Sequence, residues 1–241
     1  MKQMGTGVMV FAPAMPRYGA HAGHVWIDAR AVFGWLLEGE AAGWFGWHVK
    51  RALDVLLAGM LLLATLPILL GAVLAIRLTT RGPVLFRQQR AGYRGRPFTM
   101  YKLRTMVDGA AALEEGLKEA GRTFFKLDRD PRITRVGAFL RRTSIDELPQ
   151  LVNVLRGDMS LVGPRPLLMS DLVNFPESAH RIRFAMMPGI TGLWQVSGRS
   201  RTSDDERLRL DKEYVEGWSL WLDLRILVKT VPAVVSARGA A

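Results

Sequence analysis

The chain has 241 residues, enough for one large domain or two small ones. It contains no cysteine, which excludes a disulfide framework, a thiolate nucleophile and any cysteine-ligated metal. A formal charge of +11 calls for a polyanionic partner, and a hydrophobic share of 49% is greasier than a soluble nucleic-acid binder needs. A membrane surface is therefore the first candidate, and nucleic acid is not expected.

Residues 1–48 read as a short N-terminal extension. Trp26, Trp35, Trp44 and Trp47 fall in it. Indoles suit the headgroup layer of a membrane, and they suit equally well a soluble core or a homodimer contact, so both readings stand. Lys50 and Asp54 are spaced to pair along a helix where the next segment begins.

From Val55 to Ile76, "VLLAGMLLLATLPILLGAVLAI" runs for 22 residues without a charge. At about 1.5 Å per residue this is roughly 33 Å, enough to cross a hydrocarbon core. Pro67 lies near its middle, cannot donate to the Leu63 carbonyl, and predicts a kink. Both flanks are basic: Lys50 and Arg51 precede the segment, and Arg77, Arg81, Arg87 and Arg90 follow it. Positive residues favour the cytoplasmic side, so a helix over 49–78 that enters, bends and returns satisfies both observations. The charge excess is larger after the segment, and ordinary spanning with the N-terminus outside stays open.

Beyond it, residues 79–241 carry the alternating and amphipathic patterns of a mixed domain. Val84–Gln88 and Phe98–Leu103 predict two short strands joined at Gly92 and Gly95. Between Arg77 and Arg104 every charged residue is basic, which makes this stretch a candidate anion-binding face. Residues 108–120 have a helical pattern stopped by Gly121. "DPRITRVGAFLRR" and "LPQLVNVL" predict two more helices, "GPRP" (163–166) a stiff loop, and "WSLWLDLRILVKTVPAVV" an amphipathic C-terminal helix. The fold expected is α+β and mostly helical, with a small β-hairpin.

Between the two middle helices lies "TSIDELPQL", with adjacent carboxylates at Asp146 and Glu147. Ser144-x-x-Glu147 matches a capping box, in which the Ser144 hydroxyl bonds a backbone N–H and Glu147 reaches back. Taken alone, the stretch favours that structural role. No Walker, Rossmann or zinc-protease pattern occurs, so the chemistry on offer is carboxylate plus arginine and lysine, the chemistry of phosphoryl groups. A carboxylate can attack phosphorus and form an acyl-phosphate, and a neighbouring one can hold Mg²⁺.

Four stretches together resemble the bacterial sugar transferases, the monotopic phosphoglycosyl transferases that act on polyprenyl phosphate. They are "KRALDVLLAGMLLLATLPILLGAVLAIRL", "GPVLFRQQRAGYRGRPFTMYKLRTM", "DPRITRVGAFLRRTSIDELPQLVNVLRGDMSLVGPRPLL" and "PGITGLWQVSGRS" with "LDKEYVEGWSLWLDLRILVKTV", over about residues 48–238. The resemblance implies transfer of a sugar-1-phosphate from a UDP-sugar to undecaprenyl phosphate with release of UMP, at the cytoplasmic face of a bacterial inner membrane. It implies Asp146 as nucleophile, Glu147 as ligand of Mg²⁺ or Mn²⁺, and Lys102, Arg141, Arg165 and Asp211 as further site residues. "GLWQVSGR" and the tail are more similar to the exopolysaccharide enzymes using UDP-glucose or UDP-galactose than to the acetamido-sugar enzymes. The family's re-entrant helix breaks at a Ser-Pro pair; here Leu66 precedes Pro67 and the hydroxyl is at Thr65, from which it is expected to bond a carbonyl freed by the kink. The rival reading is a non-catalytic protein that binds anionic lipid through its basic patch, in which Asp146 is dispensable.

Overall fold

A computed structural model of the chain describes residues 44–110, 130–169, 172, 182–197 and 203–235. Trp26, Trp35 and most of the helix expected over 108–120 lie outside these residues. The described part is mostly helical, as the sequence patterns predict, and it holds two small sheets, of which the sequence predicts only the hairpin.

Helix α1 spans Trp44–Thr79, 36 residues, and begins inside the stretch read as an extension. The reason is visible at Trp47, which stacks on Trp218 with ring centroids 6.1 Å apart and meets Tyr93 at the same distance. This tryptophan is a core anchor. One face of α1 is buried towards its two ends, through Lys50, Asp54 and Ala58 at one and Ala72 and Ile76 at the other, with only half-buried or exposed residues between them. These positions recur on one side of a helix, and the two groups lie at either end of a stretch of about 39 Å. The opposite side exposes Leu56, Met60, Leu63, Leu70, Leu74 and Leu78. So long an apolar stripe is stable only against a non-aqueous partner, which fits membrane association.

The helix is continuous through Pro67. The Thr65 hydroxyl donates to the Leu61 carbonyl at 2.6 Å. It does not serve Leu63, the carbonyl that Pro67 leaves without a helical donor, and the expectation for Thr65 is corrected. A side chain bonding back three or four residues reaches Leu62 or Leu61 from position 65; it would reach Leu63 only from 66 or 67.

Both ends of α1 are fastened to the rest of the domain. At the first end Lys50 donates to Asp223 at 2.6 Å and to the Val162 carbonyl at 3.1 Å, while Asp54 stands farther off at 3.9 Å. The expected pairing along the helix is thus secondary to one across it. At the other end Arg104 donates to the Thr80 carbonyl at 3.1 Å and to its hydroxyl at 2.7 Å, and also to the Arg81 carbonyl.

Strands β1 (Leu85–Ala91) and β2 (Pro97–Leu103) form the expected antiparallel hairpin, with Leu85 opposite Leu103 and Phe86 opposite Lys102. Helix α2 (Arg135–Arg142) starts under Thr134, whose hydroxyl accepts from Gly137 N at 2.8 Å. A Cβ on Gly137 would collide with the Thr105 carbonyl, so only glycine lets α2 approach the end of β2. A 3₁₀ turn (Ile145–Glu147) leads to α3 (Gln150–Arg156) and β3 (Ser160–Val162). The "GPRP" loop follows, then β4 (Leu167–Leu168), which pairs with the free edge of β1. Strand β5 (Gly189–Thr191) runs parallel to β3. Helices α4 (Leu193–Ser197), α5 (Asp204–Glu216) and α6 (Leu220–Val235) complete the described chain. The core joins Ala58 of α1 to Met100, Leu151, Val154, Met159, Leu161, Tyr214 and Ile226, so α1 is an integral element of it.

Candidate active site

The turn carrying the two carboxylates is built by a break between helices. α2 ends at Arg142, and Ser144 takes a left-handed conformation, φ 57° and ψ 17°. A residue capping a helix start has extended backbone, so this geometry is incompatible with the capping box, and the Ser144 side chain makes no capping bond. That expectation is corrected. A non-glycine residue at positive φ costs on the order of 1–3 kcal/mol and persists because its surroundings require it. Here it aims the next three residues at β2.

Glu147 meets Lys102 Nζ at 2.8 Å and Arg165 Nη2 at 3.3 Å, both through its Oε1. Lys102 comes from β2 and Arg165 from the "GPRP" loop. Arg141, in the last turn of α2, donates from Nε to the Thr105 hydroxyl at 2.9 Å. Asp146 is only 7% exposed. Lys102, Arg141, Asp146, Glu147 and Arg165 line a single cavity of about 1650 Å³, and the same cavity is walled by Leu61, Thr65 and Ile68 of α1 and by Leu227 and Thr230 of α6.

Asp211 is not part of that wall. It is 1% exposed on α5 and pairs with Arg183 at 2.7 Å. Arg183 in turn donates to the Arg165 carbonyl at 3.1 Å. The sequence does not single out Arg183, and it shows Arg90 only as one of a run of basic residues, without its hold on the Pro166 carbonyl, to which its Nη1 donates at 3.1 Å. The only signal was that residues 164 and 166 are prolines, so the loop must be held by its carbonyls.

The two carboxylates sit in opposite electrostatic settings. Burial pushes Asp146 up, the neighbouring Glu147 pushes it further, and Lys102 and Arg141 pull it back only in part, leaving it at about 6. Burial raises Glu147 too, but Lys102 and Arg165 overcome that and hold it down at about 2. Burial lowers Lys102, and Glu147 resists the shift. At neutral pH Glu147 is therefore a firmly held anion. Asp146 is ionised yet poorly stabilised, the condition of a reactive nucleophile.

Among the described residues no three His, Cys, Asp or Glu side chains cluster to hold a metal. Mg²⁺ does not need such a cage: it takes one or two carboxylates, with waters and substrate phosphates completing the octahedron. Both cations bond Glu147 through Oε1, which leaves Oε2 to serve as a metal ligand, and Glu147 and Asp146 both line the cavity. The residues present fit a divalent cation delivered with a phosphate substrate.

The model of the family described as bacterial sugar transferase matches residues 45–237. The chain is 43% identical over 202 residues to the exopolysaccharide production protein ExoY of Rhizobium meliloti, covering 81% of this chain and 89% of the relative. It is 46% identical over 199 residues to a UDP-glucose:undecaprenyl-phosphate glucose-1-phosphate transferase of Caulobacter vibrioides, covering 79% and 71%. It is 42% identical over 203 residues to an undecaprenyl-phosphate galactose phosphotransferase of Salmonella typhimurium, covering 80% of this chain and 41% of that one. With a cluster of acidic and basic side chains and a long apolar helix lining one cavity, and with this match along nearly the whole described chain, the protein belongs to the bacterial sugar transferase family.

Proposed function

We propose that this chain transfers glucose-1-phosphate or galactose-1-phosphate from the UDP-sugar to undecaprenyl phosphate at the cytoplasmic face of a bacterial inner membrane, initiating exopolysaccharide assembly. The observation that carries the reading is the cavity itself. One wall holds a buried, weakly stabilised carboxylate amid phosphate-binding cations, and another is the apolar helix α1. A water-soluble phosphosugar and a lipid phosphate have one place to meet.

In the reaction, the Asp146 carboxylate attacks the phosphorus attached to the sugar. The bond from that phosphorus to the bridging oxygen breaks, and UMP leaves with the oxygen. Asp146 now carries the phosphosugar as an acyl-phosphate. An oxygen of undecaprenyl phosphate attacks the same phosphorus and frees the carboxylate, giving the undecaprenyl-diphosphate sugar. Lys102, Arg141 and Arg165 orient and neutralise the phosphate oxygens, Arg165 as a planar fork and Lys102 as a point charge. Glu147 keeps Lys102 and Arg165 in register, and its Oε2, with Asp146, would hold Mg²⁺ or Mn²⁺. When bound, the metal supplies further neutralisation of phosphate charge.

The proposed topology is supported by α1. Its domain-facing side is buried near both ends, at Lys50, Asp54 and Ala58 and at Ala72 and Ile76, and both ends are tied to the same domain. A straight helix crossing the bilayer would draw that domain into hydrocarbon, so these contacts support a helix that enters and leaves on one side, with Lys50, Arg51, Arg77 and Arg81 near one headgroup layer.

The test is UMP release with undecaprenyl phosphate and either UDP-glucose or UDP-galactose, comparing wild type with Asp146→Asn. Turnover on at least one sugar is expected, and the variant should lose several orders of magnitude. A variant of near-normal turnover would restore the lipid-binding reading.

A further inference from the structure

The "GPRP" loop presents Arg165 to the cavity, yet Pro164 and Pro166 on either side have no N–H to anchor it. The loop is held instead by three consecutive carbonyls. Pro164 O accepts from Gly189 N at 2.9 Å, Arg165 O from Arg183 Nη2 at 3.1 Å, and Pro166 O from Arg90 Nη1 at 3.1 Å. Glycines close the approach: a Cβ on Gly163 would collide with the Met187 carbonyl, and one on Gly189 with the Gly163 backbone N–H. The middle anchor differs in kind from the other two. Arg183 is 7% exposed, and the same Nη2 that holds Arg165 meets Asp211, itself 1% exposed, at 2.7 Å. Burying an ion pair rarely gains stability over an apolar pair of the same shape. Its presence behind a loop, outside the cavity wall, asks what it does for that loop.

We propose that Arg183 and Asp211 are positioning residues that set Arg165 against the phosphates of a nucleoside diphosphate sugar, without touching the substrate. Asp211 offsets the charge of Arg183 and fixes its guanidinium. Arg183 fixes the Arg165 carbonyl and with it the root of the Arg165 side chain, whose Nη2 reaches Glu147 at 3.3 Å. Without that hold Arg165 must order its long side chain on binding, and affinity for the phosphates falls. Asp211, expected from the family resemblance to belong to the site, acts in this arrangement from two residues behind it. The inference rests on the phosphate-binding reading of the cavity.

The test is a cycle read by calorimetric UDP binding in detergent micelles with Mg²⁺. Arg183→Met should weaken UDP about tenfold, the size of one hydrogen bond to a charged group. Arg165→Ala should weaken it at least as much, and adding Arg183→Met to Arg165→Ala should change nothing further, because Arg183 works only through Arg165. A second variant, Arg183→Met with Asp211→Leu, separates position from stability. It should regain the melting temperature lost by Arg183→Met alone, and not the UDP affinity. Additive losses in the cycle, or affinity that returns with stability, would overturn the inference, as would a wild type that does not bind UDP. UMP release by the wild type is measured in parallel. A wild type that releases UMP while the cycle is additive removes only the relay; one that shows the expected cycle but releases no UMP keeps the relay and removes the proposed transfer.

Discussion

Asp146→Asn should give a protein that is inactive and more stable than the wild type. Asp146 is 7% exposed, and its carboxyl is raised from the ordinary 3.8 to about 6, first by burial and then by Glu147. The native state therefore holds a proton on Asp146 that the unfolded chain has already released. Between those two pH values the native state binds more protons, so stability from this group is present below 3.8 and is lost as pH rises through about 6. Above that, the ionised carboxylate costs the fold an amount on the order of 3 kcal/mol. Asparagine keeps the shape and cannot ionise, so at about pH 7.5 the variant should regain up to that amount. For a chain of this length that is roughly 6–12 °C in melting temperature. The assay is thermal unfolding of both proteins in the same micelles with EDTA, so that no cation compensates the charge in the wild type. The gap should close at about pH 4, where the native Asp146 carboxyl is protonated and position 146 is uncharged in both proteins. A variant that melts below the wild type at about pH 7.5, or a gap that persists unchanged at about pH 4, would refute the claim that burial of an ionised Asp146 is costly.

Three further outcomes are expected. Chelation with EDTA should abolish UMP release and excess Mg²⁺ restore it; full activity in chelator would remove the metal role given to Glu147. Lys50→Met should destabilise by about 3–5 kcal/mol, because it leaves the buried Asp223 carboxylate without its cation, whereas Lys50→Met with Asp223→Leu should recover part of the loss; denaturant midpoints of the two variants decide it, and equal midpoints would contradict the reading. Single cysteines replacing Arg30 and Arg81 should both be labelled only from the cytoplasmic side, against a background with no native cysteine; periplasmic labelling at position 30 would show a spanning helix, and Pro67→Leu should then be neutral for topology.

The sequence by itself determined what depends on neighbours along the chain. The apolar run predicts α1 because helix length and uncharged composition are local properties. The hairpin lies close to where alternation and Gly92 place it, although β1 runs on to Ala91. Asp146 and Glu147 were legible as a candidate pair from adjacency and motif order. What the pair does electrostatically was decided only by the tertiary structure. Glu147 is the held anion because Lys102, 45 residues earlier, and Arg165, 18 residues later, converge on its Oε1. Asp146 is the raised one because α1, α2 and β2 close around it and give it less compensation. The capping box failed for the same reason: its spacing is local, but the left-handed backbone at Ser144 is imposed by where α2 must stop to aim the turn at β2. Thr65 and Asp211 mark the same division. A motif names the residue, while the atom its side chain reaches depends on helix register in the first case and on Arg183 in the second. Charge and hydrogen-bond energies fall off within a few ångströms, and which groups come within that range is a property of the folded chain.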